Sequence, residues 1–235
     1  MNELLKIKEW DESYEKGDNY VWHPHEEIIR FSSKYFMKKI DIDKFENKSK
    51  NNNLKALDFG CGIGRHVIFL SDLQIESYGV DISKSAINKA MDWCDYLGKR
   101  DLKENFIFVD GHSKLPFNDN FFDFVISHGV FDSMYFDIAK KNLINISRVL
   151  KSSGLMYLDL ISGNDHEHYR EYCGEEIVKN EHERGTIQSY YNFSKIERLI
   201  SDTDYKINEI NLIKKENVLS GTINSRYHII LRLEK

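Results

Sequence analysis

The stretch Asp58-Phe-Gly-Cys-Gly-Ile-Gly64 begins at the end of a predicted strand, residues 54–59, and is followed by a segment of helical periodicity, residues 65–73. Glycine is needed where a backbone takes positive φ or approaches a ligand closely. The dinucleotide fingerprint is Gly-x-Gly-x-x-Gly, but here the third glycine comes one residue early and Arg65 fills a position that the fingerprint keeps small. The spacing therefore predicts a strand, a binding turn and a helix, for a ligand that lacks a pyrophosphate.

The rest of the chain continues this alternation of strand and helix. Because strands that alternate with helices form βαβ units, the pattern indicates a buried parallel sheet. The last two apolar segments are joined by a turn-rich link without a helix, which favours an antiparallel pair. The predicted fold class is α/β, with a seven-stranded, mostly parallel sheet, helices on both faces and an antiparallel C-terminal strand pair. The further strands are predicted at residues 77–80, 106–109, 122–126, 155–160, 207–213 and 227–233. One helix is predicted to begin after Ser83 as its N-cap, one to cover residues 138–150 and stop near Gly154, and one to cover residues 194–200.

Residues 1–45 differ from the rest in their aromatic content. Seven large aromatic residues fall within residues 10–36, and a Gly17-Asp-Asn turn divides the segment. Apolar residues near helical spacing predict a helix over residues 24–40. We interpret residues 1–45 as a helical lid or cap on a main domain that covers residues 46–235. Ordinary packing into the core is the alternative explanation for these aromatic side chains.

Two acidic residues follow predicted strands. Asp81 comes 21 residues after Gly60, and Asp110 follows the next strand along the chain. Open α/β sheets bind ligands at the carboxyl ends of their strands, where a carboxylate can accept hydrogen bonds from both hydroxyls of a ribose. Asp81 is therefore a candidate for binding a ribose and Asp110 for binding an adenine amino group. The alternative is that either residue only caps a helix or a turn.

Five ordered segments carry a family resemblance. In chain order they are ALDFGCGIGRH at 56–66, YGVDIS at 78–83, the Asp110-Gly-His112 turn, LPFNDNFFDFVIS at 115–127 and RVLKSSG at 148–154. In this order and spacing they resemble the class I S-adenosylmethionine-dependent methyltransferases. The resemblance covers residues 54–160 well and the C-terminal strands in outline. It implies a Rossmann-like fold and S-adenosylmethionine as the cofactor.

The resemblance also implies roles for individual residues. The loop Gly60-Cys61-Gly62 would pass under the methionine part of the cofactor, with Asp58 bracing the loop and helping to hold the amino group. Ile82 would lie against the adenine, and His128, at the end of the fourth strand, beside the reactive methyl. The full set expected to contact the cofactor is Tyr14, Tyr20, Asp58, Gly60, Cys61, Gly62, Gly64, Asp81, Ile82, Asp110, Gly111, His112 and His128.

Candidates for catalysis and for binding the acceptor are fewer. His128 is the candidate base because it stands at a strand end; the alternative is that it only hydrogen-bonds the cofactor or the backbone. In the resembling family the N-terminal segment and residues 162–192 build the acceptor pocket, so the expected acceptor-binding residues are His23, His25, His168 and Arg170. Tyr14, Tyr20 and Trp22 are the lid candidates, while Tyr190 and Tyr191 either line the other wall or pack on the sheet.

Metal binding is not expected. His166 and His168 would point in different directions on a helix, and no third ligand is spaced to join them. The three cysteines are too scattered for a disulfide framework or a zinc site. The expected cofactor is therefore S-adenosylmethionine alone.

Composition restricts the partners. The formal charge is −5, whereas a protein that neutralises many phosphates is usually basic, so no nucleic acid is expected. No apolar run has the roughly 18–20 residues of a membrane span, and the N-terminal residues carry charges where a signal peptide needs an apolar core. We therefore expect a cytoplasmic protein that does not enter membranes, as a monomer or a homodimer.

The leading functional hypothesis is methyl transfer to an oxygen or nitrogen of a small metabolite. Residues 7–31 resemble the N-termini of methyltransferases from bacterial capsule and surface-polysaccharide pathways, including those that make methylated phosphoramidate groups. One alternative is a macromolecular methyltransferase, although residues 127–131, Ser-His-Gly-Val-Phe, lack the Asp/Asn-Pro-Pro-Tyr/Phe motif of base-methylating enzymes. The other alternative is a non-catalytic cofactor-binding subunit, against which the intact glycine set and Asp81 argue.

Overall fold

The computed structural model describes residues 6–168, 171–181 and 183–235. Its main sheet has seven strands: β3 (Lys55–Phe59), β4 (Glu76–Asp81), β5 (Phe106–Phe108), β6 (Phe122–Ser127), β7 (Leu150–Ile161), β10 (Tyr205–Glu216) and β11 (Ile223–Leu233). Their spatial order is β10-β11-β7-β6-β3-β4-β5. The five strands from β7 to β5 run parallel to their neighbours, and β11 runs antiparallel to both β7 and β10. This confirms the predicted fold class.

Helices cover both faces of the sheet. On one face α5 (Phe136–Val149) and α6 (Phe193–Ile200) pack on the sheet through residues such as Leu143. The other face is covered by α2 (Glu26–Tyr35) and α3 (Arg65–Asp72), and α4 (Lys84–Tyr96) packs beside α3. Ser83 caps α4 as predicted, since its side chain accepts from the Ala86 amide. Because both faces are covered, every residue of β3 except Lys55 is buried.

The N-terminal segment is only partly helical. Helix α1 (Ile7–Lys16) ends at Gly17 with φ of 81°, and α2 ends at Tyr35. The helix predicted up to residue 40 is wrong beyond that point, because β1 (Met37–Lys39) and β2 (Phe45–Asn47) form an antiparallel pair there. The Phe36 ring stacks on Phe124 at a centroid distance of 4.0 Å, so packing on the sheet overrides the helical period.

Helix α2 belongs to the core of the main sheet. Ile28 and Phe31 are buried in one cluster with Phe124 and Tyr157. The lid hypothesis is therefore restricted to the part before α2, residues 7–22. No helix within the described residues is long and apolar enough to cross a membrane.

The fifth predicted strand begins earlier than expected. Helix α5 ends at Val149, and β7 starts at the next residue rather than after Gly154. The pairing of β6 with β7 shifts register between Phe122 and Phe124, and a Cβ on Gly154 would lie 2.7 Å from the Leu150 side chain. Gly154 therefore allows an irregularity inside a strand. A further small pair, β8 (Glu175–Ile177) with β9 (Ile187–Ser189), and a 3-10 helix, Arg100–Asn105, were not predicted.

Candidate functional site

A cavity of about 270 Å³ opens at the carboxyl ends of the parallel strands. Its floor is the glycine loop, residues 59–63, with residues 80–82 at the end of β4 and residues 128–130 after β6 on either side. Trp10, Tyr14, Asn19 and Val21 close it from the N-terminal segment. This is the position at which open α/β sheets bind ligands, so the predicted strand ends do meet at one site.

The glycine loop is held by backbone hydrogen bonds. The amides of Gly60 and Cys61 donate to the Val80 carbonyl at 2.9 and 3.0 Å. Gly62 has φ of 53°, and a Cβ there would lie 2.5 Å from the Tyr14 hydroxyl oxygen. The loop therefore leaves a bare backbone surface under Tyr14, which a side chain at position 62 would fill.

Gly64 lies where the glycine loop meets α3. It precedes α3 with φ of 86°, and a Cβ would lie 2.6 Å from the Phe106 ring. Gly64 is not among the residues that line the cavity. Its lack of a side chain therefore allows close packing of α3 on the sheet, and contact between Gly64 and the cofactor stays a prediction.

Asp81 is buried at the end of β4, where it both lines the cavity and binds the glycine loop. Its Oδ2 accepts from the Gly62 amide at 2.8 Å and its Oδ1 from the Ser83 amide at 2.9 Å. Burial raises the pKa of Asp81 to about 6, although these two hydrogen bonds favour the charged form. Ile82 lines the cavity beside it. A carboxylate here can accept hydrogen bonds from ligand hydroxyls, as the ribose role requires.

Because the pKa of Asp81 lies near 6, ligand affinity should depend on pH. Protonation below pH 6 removes the charge that strengthens a bond from a hydroxyl. We expect S-adenosylhomocysteine to bind about tenfold more weakly at pH 5 than at pH 7, because one proton is linked to binding. Calorimetry across this range measures the effect. Asp81→Asn, which cannot titrate, should show a flat profile; an unchanged slope in that variant would assign the effect to another group.

Asp110 serves the turn rather than the cavity. Its Oδ1 accepts from the amides of His112 and Ser113, and its Oδ2 accepts from the Ser113 hydroxyl. These bonds, with that from the Ser113 amide the strongest, lower the pKa of Asp110 to about 2. Asp110 and His112 are exposed and do not line the cavity, whereas Gly111 does. In this structure Asp110 therefore caps the 110–113 turn, which is the alternative that the sequence left open.

His128 lines the cavity and touches two charged side chains. Its Nδ1 lies 3.3 Å from an Arg65 Nη2 atom, and its Nε2 lies 3.5 Å from Oδ2 of Asp159. Burial lowers the pKa of His128 to about 3, although the negative charge of Asp159 opposes the shift. The imidazole is therefore neutral at pH 7 and a weak base, which favours a hydrogen-bonding role over proton abstraction.

A buried ionic network lies behind His128. Asp159 accepts from the Gly129 amide at 2.7 Å and from Arg226 Nε at 2.8 Å, and Arg226 also pairs with Asp132. Burial alone would raise the pKa of Asp159, but the charge of Arg226, together with His128, the Gly129 amide and His228, outweighs burial and lowers the pKa to about 2. Sequence reasoning missed these residues. The available signal was Asp159 itself, a carboxylate within an apolar strand.

Three further histidines meet around His128, and only one was predicted at this site. The His25 ring lies 4.1 Å from that of His128, and its amide donates to His66 Nε2 at 3.3 Å. His66 lines the cavity, and the His228 ring lies 5.9 Å from that of His25. His25 itself is next to the cavity but not among its lining residues. The His23 side chain is exposed, and only its carbonyl reaches the site, where it accepts from Arg65.

Asp58 lies buried beneath the glycine loop. Neither carboxylate oxygen accepts a hydrogen bond from a described residue, and His66 Nδ1 is 3.4 Å from Oδ2. An unsatisfied buried carboxylate is costly unless a donor or cation approaches it. Asp58 does not itself line the cavity and accepts no hydrogen bond from the glycine loop, so bracing of the loop and contact with the cofactor's amino group both stay predictions.

Of the three lid candidates, only Tyr14 lines the cavity. The Tyr20 ring packs edge-on against Trp22 at 5.8 Å, and Trp22 packs against Trp93 at 4.8 Å. Helix α1 is fastened to the main domain by Asp11, whose Oδ1 accepts from the Ser83 hydroxyl at 2.7 Å and the Ser85 amide at 2.9 Å.

Residues 162–192 contribute little to the cavity. His168 binds Asp165 at 2.9 Å and Glu176 at 3.3 Å and stacks on Tyr172, away from the cavity. Tyr190 and Tyr191 are buried and do not line it either. Arg170 lies outside the described residues. From the described part of this segment, Glu183 alone reaches the lining, and no cluster of three or more side chains suited to a metal occurs among the described residues.

Comparison with known proteins finds a family match for the part of the chain that builds this site. Residues 57–158 match the family model "Methyltransferase domain". A sterol 4-C-methyltransferase from Caenorhabditis elegans is 29% identical over 131 residues, which cover 53% of this chain and 38% of that protein. The chain spans 38%, 49% and 41% of the length of three curated relatives that it matches.

Solved structures share the fold across most of the chain. A SAM-dependent methyltransferase from Methanosarcina mazei has a TM-score of 0.64 and 21% identity, covering 78% of this chain and 94% of that one. The 1,6-didemethyltoxoflavin-N1-methyltransferase of Burkholderia thailandensis, solved with S-adenosylhomocysteine, has a TM-score of 0.62 and 15% identity over 98% and 88% of the two chains. In its strand order, its glycine loop and the family match over residues 57–158, the chain is similar to the class I S-adenosylmethionine-dependent methyltransferases.

Proposed function

We propose that this protein binds S-adenosylmethionine in the cavity and transfers its methyl group to an oxygen or nitrogen of a small molecule. The observation that carries the proposal is the bond between Asp81 and the Gly62 amide. It joins a carboxylate suited to a ribose to a bare glycine surface suited to the methionine part. The bound cofactor supplies an already activated methyl group on a sulfonium.

The protein's own task is to hold the acceptor in line with the methyl group. Positioning of two reactants is worth roughly 7–11 kcal/mol, whereas a general base adds typically 10²–10⁴-fold, on the order of 3–5 kcal/mol. The low pKa of His128 supports a positioning role, because a weak base does not readily take a proton. His128 then lies beside the acceptor, with its Nδ1 next to Arg65 and its Nε2, which makes no hydrogen bond within the described residues, 3.5 Å from Asp159.

A small acceptor suits the shape of the site. The cavity is narrowed by α1 on one side and by His66 and His128 on the other. A capsule or phosphoramidate acceptor is a narrower proposal, supported by the resemblance of residues 7–31 alone. No observation favours a macromolecular acceptor or a non-catalytic subunit over methyl transfer to a small molecule.

Calorimetry with S-adenosylhomocysteine tests the cofactor site. We expect one site per chain and competition by S-adenosylmethionine. Turnover is then measured with panels of small hydroxyl, amine and carboxylate compounds, by following release of S-adenosylhomocysteine. Absence of binding by the correctly folded wild-type protein would refute the proposal. Binding without turnover on any panel, together with turnover on RNA or a protein, would move the acceptor to the macromolecular class.

Residues 7–22 supply a separate prediction, since they line the cavity through Tyr14 and carry Gly17 at the end of α1. We expect these residues to act as a lid that orders over the cofactor. Amides of residues 10–22 should exchange hydrogen more slowly when S-adenosylhomocysteine is added. Deletion of residues 1–22 should leave a folded domain with weaker cofactor binding. Equal exchange with and without the ligand would make α1 ordinary packing, already fixed by Asp11.

A further inference from the structure

Arg65 stands at the inner end of the cavity, between the glycine loop and His128. Its Nη1 donates to the His23 carbonyl at 3.3 Å, and its Nη2 is 3.3 Å from His128 Nδ1. The side chain is half-buried and lines the cavity. A guanidinium has five N–H donors in a planar fork, so these two contacts use only part of the donor set of Arg65.

Arg65 has no counter-charge in the described part of the chain within 4.0 Å of its nitrogens, unlike the other arginines that enter the interior. Arg226 pairs with Asp132 and Asp159, and Arg148 pairs with Asp119. Asp58 and Asp159 act on Arg65 only from beyond ion-pair distance. Burying part of a cation without a partner is unfavourable.

The neighbours of Arg65 at the cavity are neutral. Burial lowers the pKa of both His25 and His128, and the positive charge of Arg65 contributes to each shift. These imidazoles therefore neither neutralise the guanidinium nor add a charge that competes for an anion. The inner end of the cavity combines a fixed cation with uncharged rings, which suits a planar anionic oxygen group.

We propose that Arg65 binds a carboxylate or phosphate group of a molecule held at the inner end of the cavity. The proposal rests on the proposed function for the presence of a cofactor and an acceptor. Two sources can supply the group: the carboxylate of the cofactor's methionine part, or an anionic group on the acceptor. The chemistry at Arg65 is the same for both, and binding experiments separate them.

The first arm tests the cofactor as the source. S-adenosylhomocysteine and its decarboxylated analogue, S-adenosyl-3-thiopropylamine, are titrated into wild type, Arg65→Gln and Arg65→Lys. If the cofactor supplies the carboxylate, Arg65→Gln weakens S-adenosylhomocysteine at least tenfold, Arg65→Lys weakens it less, and the analogue is unaffected. Arg30→Gln is the matched control, because Arg30 is exposed and paired with Glu26 on α2.

The second arm tests the acceptor as the source. Wild type saturated with S-adenosylhomocysteine is titrated with inorganic phosphate and with acetate, and the NMR signals of Arg65 and His128 are followed. Saturable shifts that Arg65→Gln abolishes, with the affinity for S-adenosylhomocysteine unchanged, assign the anion to the acceptor. Arg65→Lys carries the test if the glutamine variant does not fold.

The proposal is overturned if both arms are negative. In that case both Arg65 variants bind S-adenosylhomocysteine with an affinity within twofold of wild type, and neither phosphate nor acetate causes a saturable shift of the NMR signals. Failure of the wild-type protein to bind S-adenosylhomocysteine would instead refute the proposed function. The phosphate titration of the ligand-free protein then still decides the role of Arg65.

Discussion

Replacing Gly62 with valine should abolish measurable binding of S-adenosylhomocysteine and leave a folded protein. Gly62 has φ of 53°, which a β-branched residue disfavours, and its Cβ position is 2.5 Å from the Tyr14 hydroxyl oxygen. The added side chain would push Tyr14 away and occupy the surface over which the methionine part passes. We expect calorimetry to give no signal where the wild-type protein binds.

Gly98→Val separates the two causes of this loss. Gly98 has φ of 70°, but nothing lies within 4 Å of its Cβ position. This variant therefore carries the same kind of backbone strain without filling the cavity, and we expect it to bind the ligand as wild type does. Circular dichroism and thermal unfolding check the fold of both. Normal binding by a folded Gly62→Val protein would refute the assignment of the glycine loop.

The second large effect is expected at Asp81. Asp81→Ala removes a carboxylate that would accept from two ribose hydroxyls, each charge-assisted bond being worth roughly 1.5–3 kcal/mol. It also removes the acceptor for the Gly62 amide and so loosens the glycine loop. We expect S-adenosylhomocysteine to bind at least tenfold more weakly, as measured by calorimetry at pH 7.

Asp110→Ala is the informative comparison. The family resemblance implies contact between Asp110 and adenine, whereas the structure uses both of its oxygens within the 110–113 turn. We therefore expect a smaller loss of affinity than in Asp81→Ala. An equal loss of affinity in Asp110→Ala would support contact between Asp110 and adenine. Unchanged affinity in Asp81→Ala would refute the assignment of Asp81 to the ribose.

The candidate site was predictable where it depends on local spacing. Glycines at 60 and 62 and an acid directly after the next strand reach the same edge of the sheet in any parallel βαβ unit. The sequence did not distinguish Asp81 from Asp110, since both follow strands. Asp81 faces the glycine loop, while Asp110 finds amide donors two and three residues later. Such local hydrogen bonds compete with ligand binding.

By itself the sequence determined the fold class, the glycine loop and the cap at Ser83, because periodicity and capping act over a few residues. Only the tertiary structure decided the surroundings of His128. His25, Asp159 and Arg226 come from distant parts of the chain and meet there through the order of the strands. It also ended α2 at Tyr35, because Phe36 gains more by stacking on Phe124 than by continuing a helix. These contacts depend on packing between elements, for which no local pattern exists.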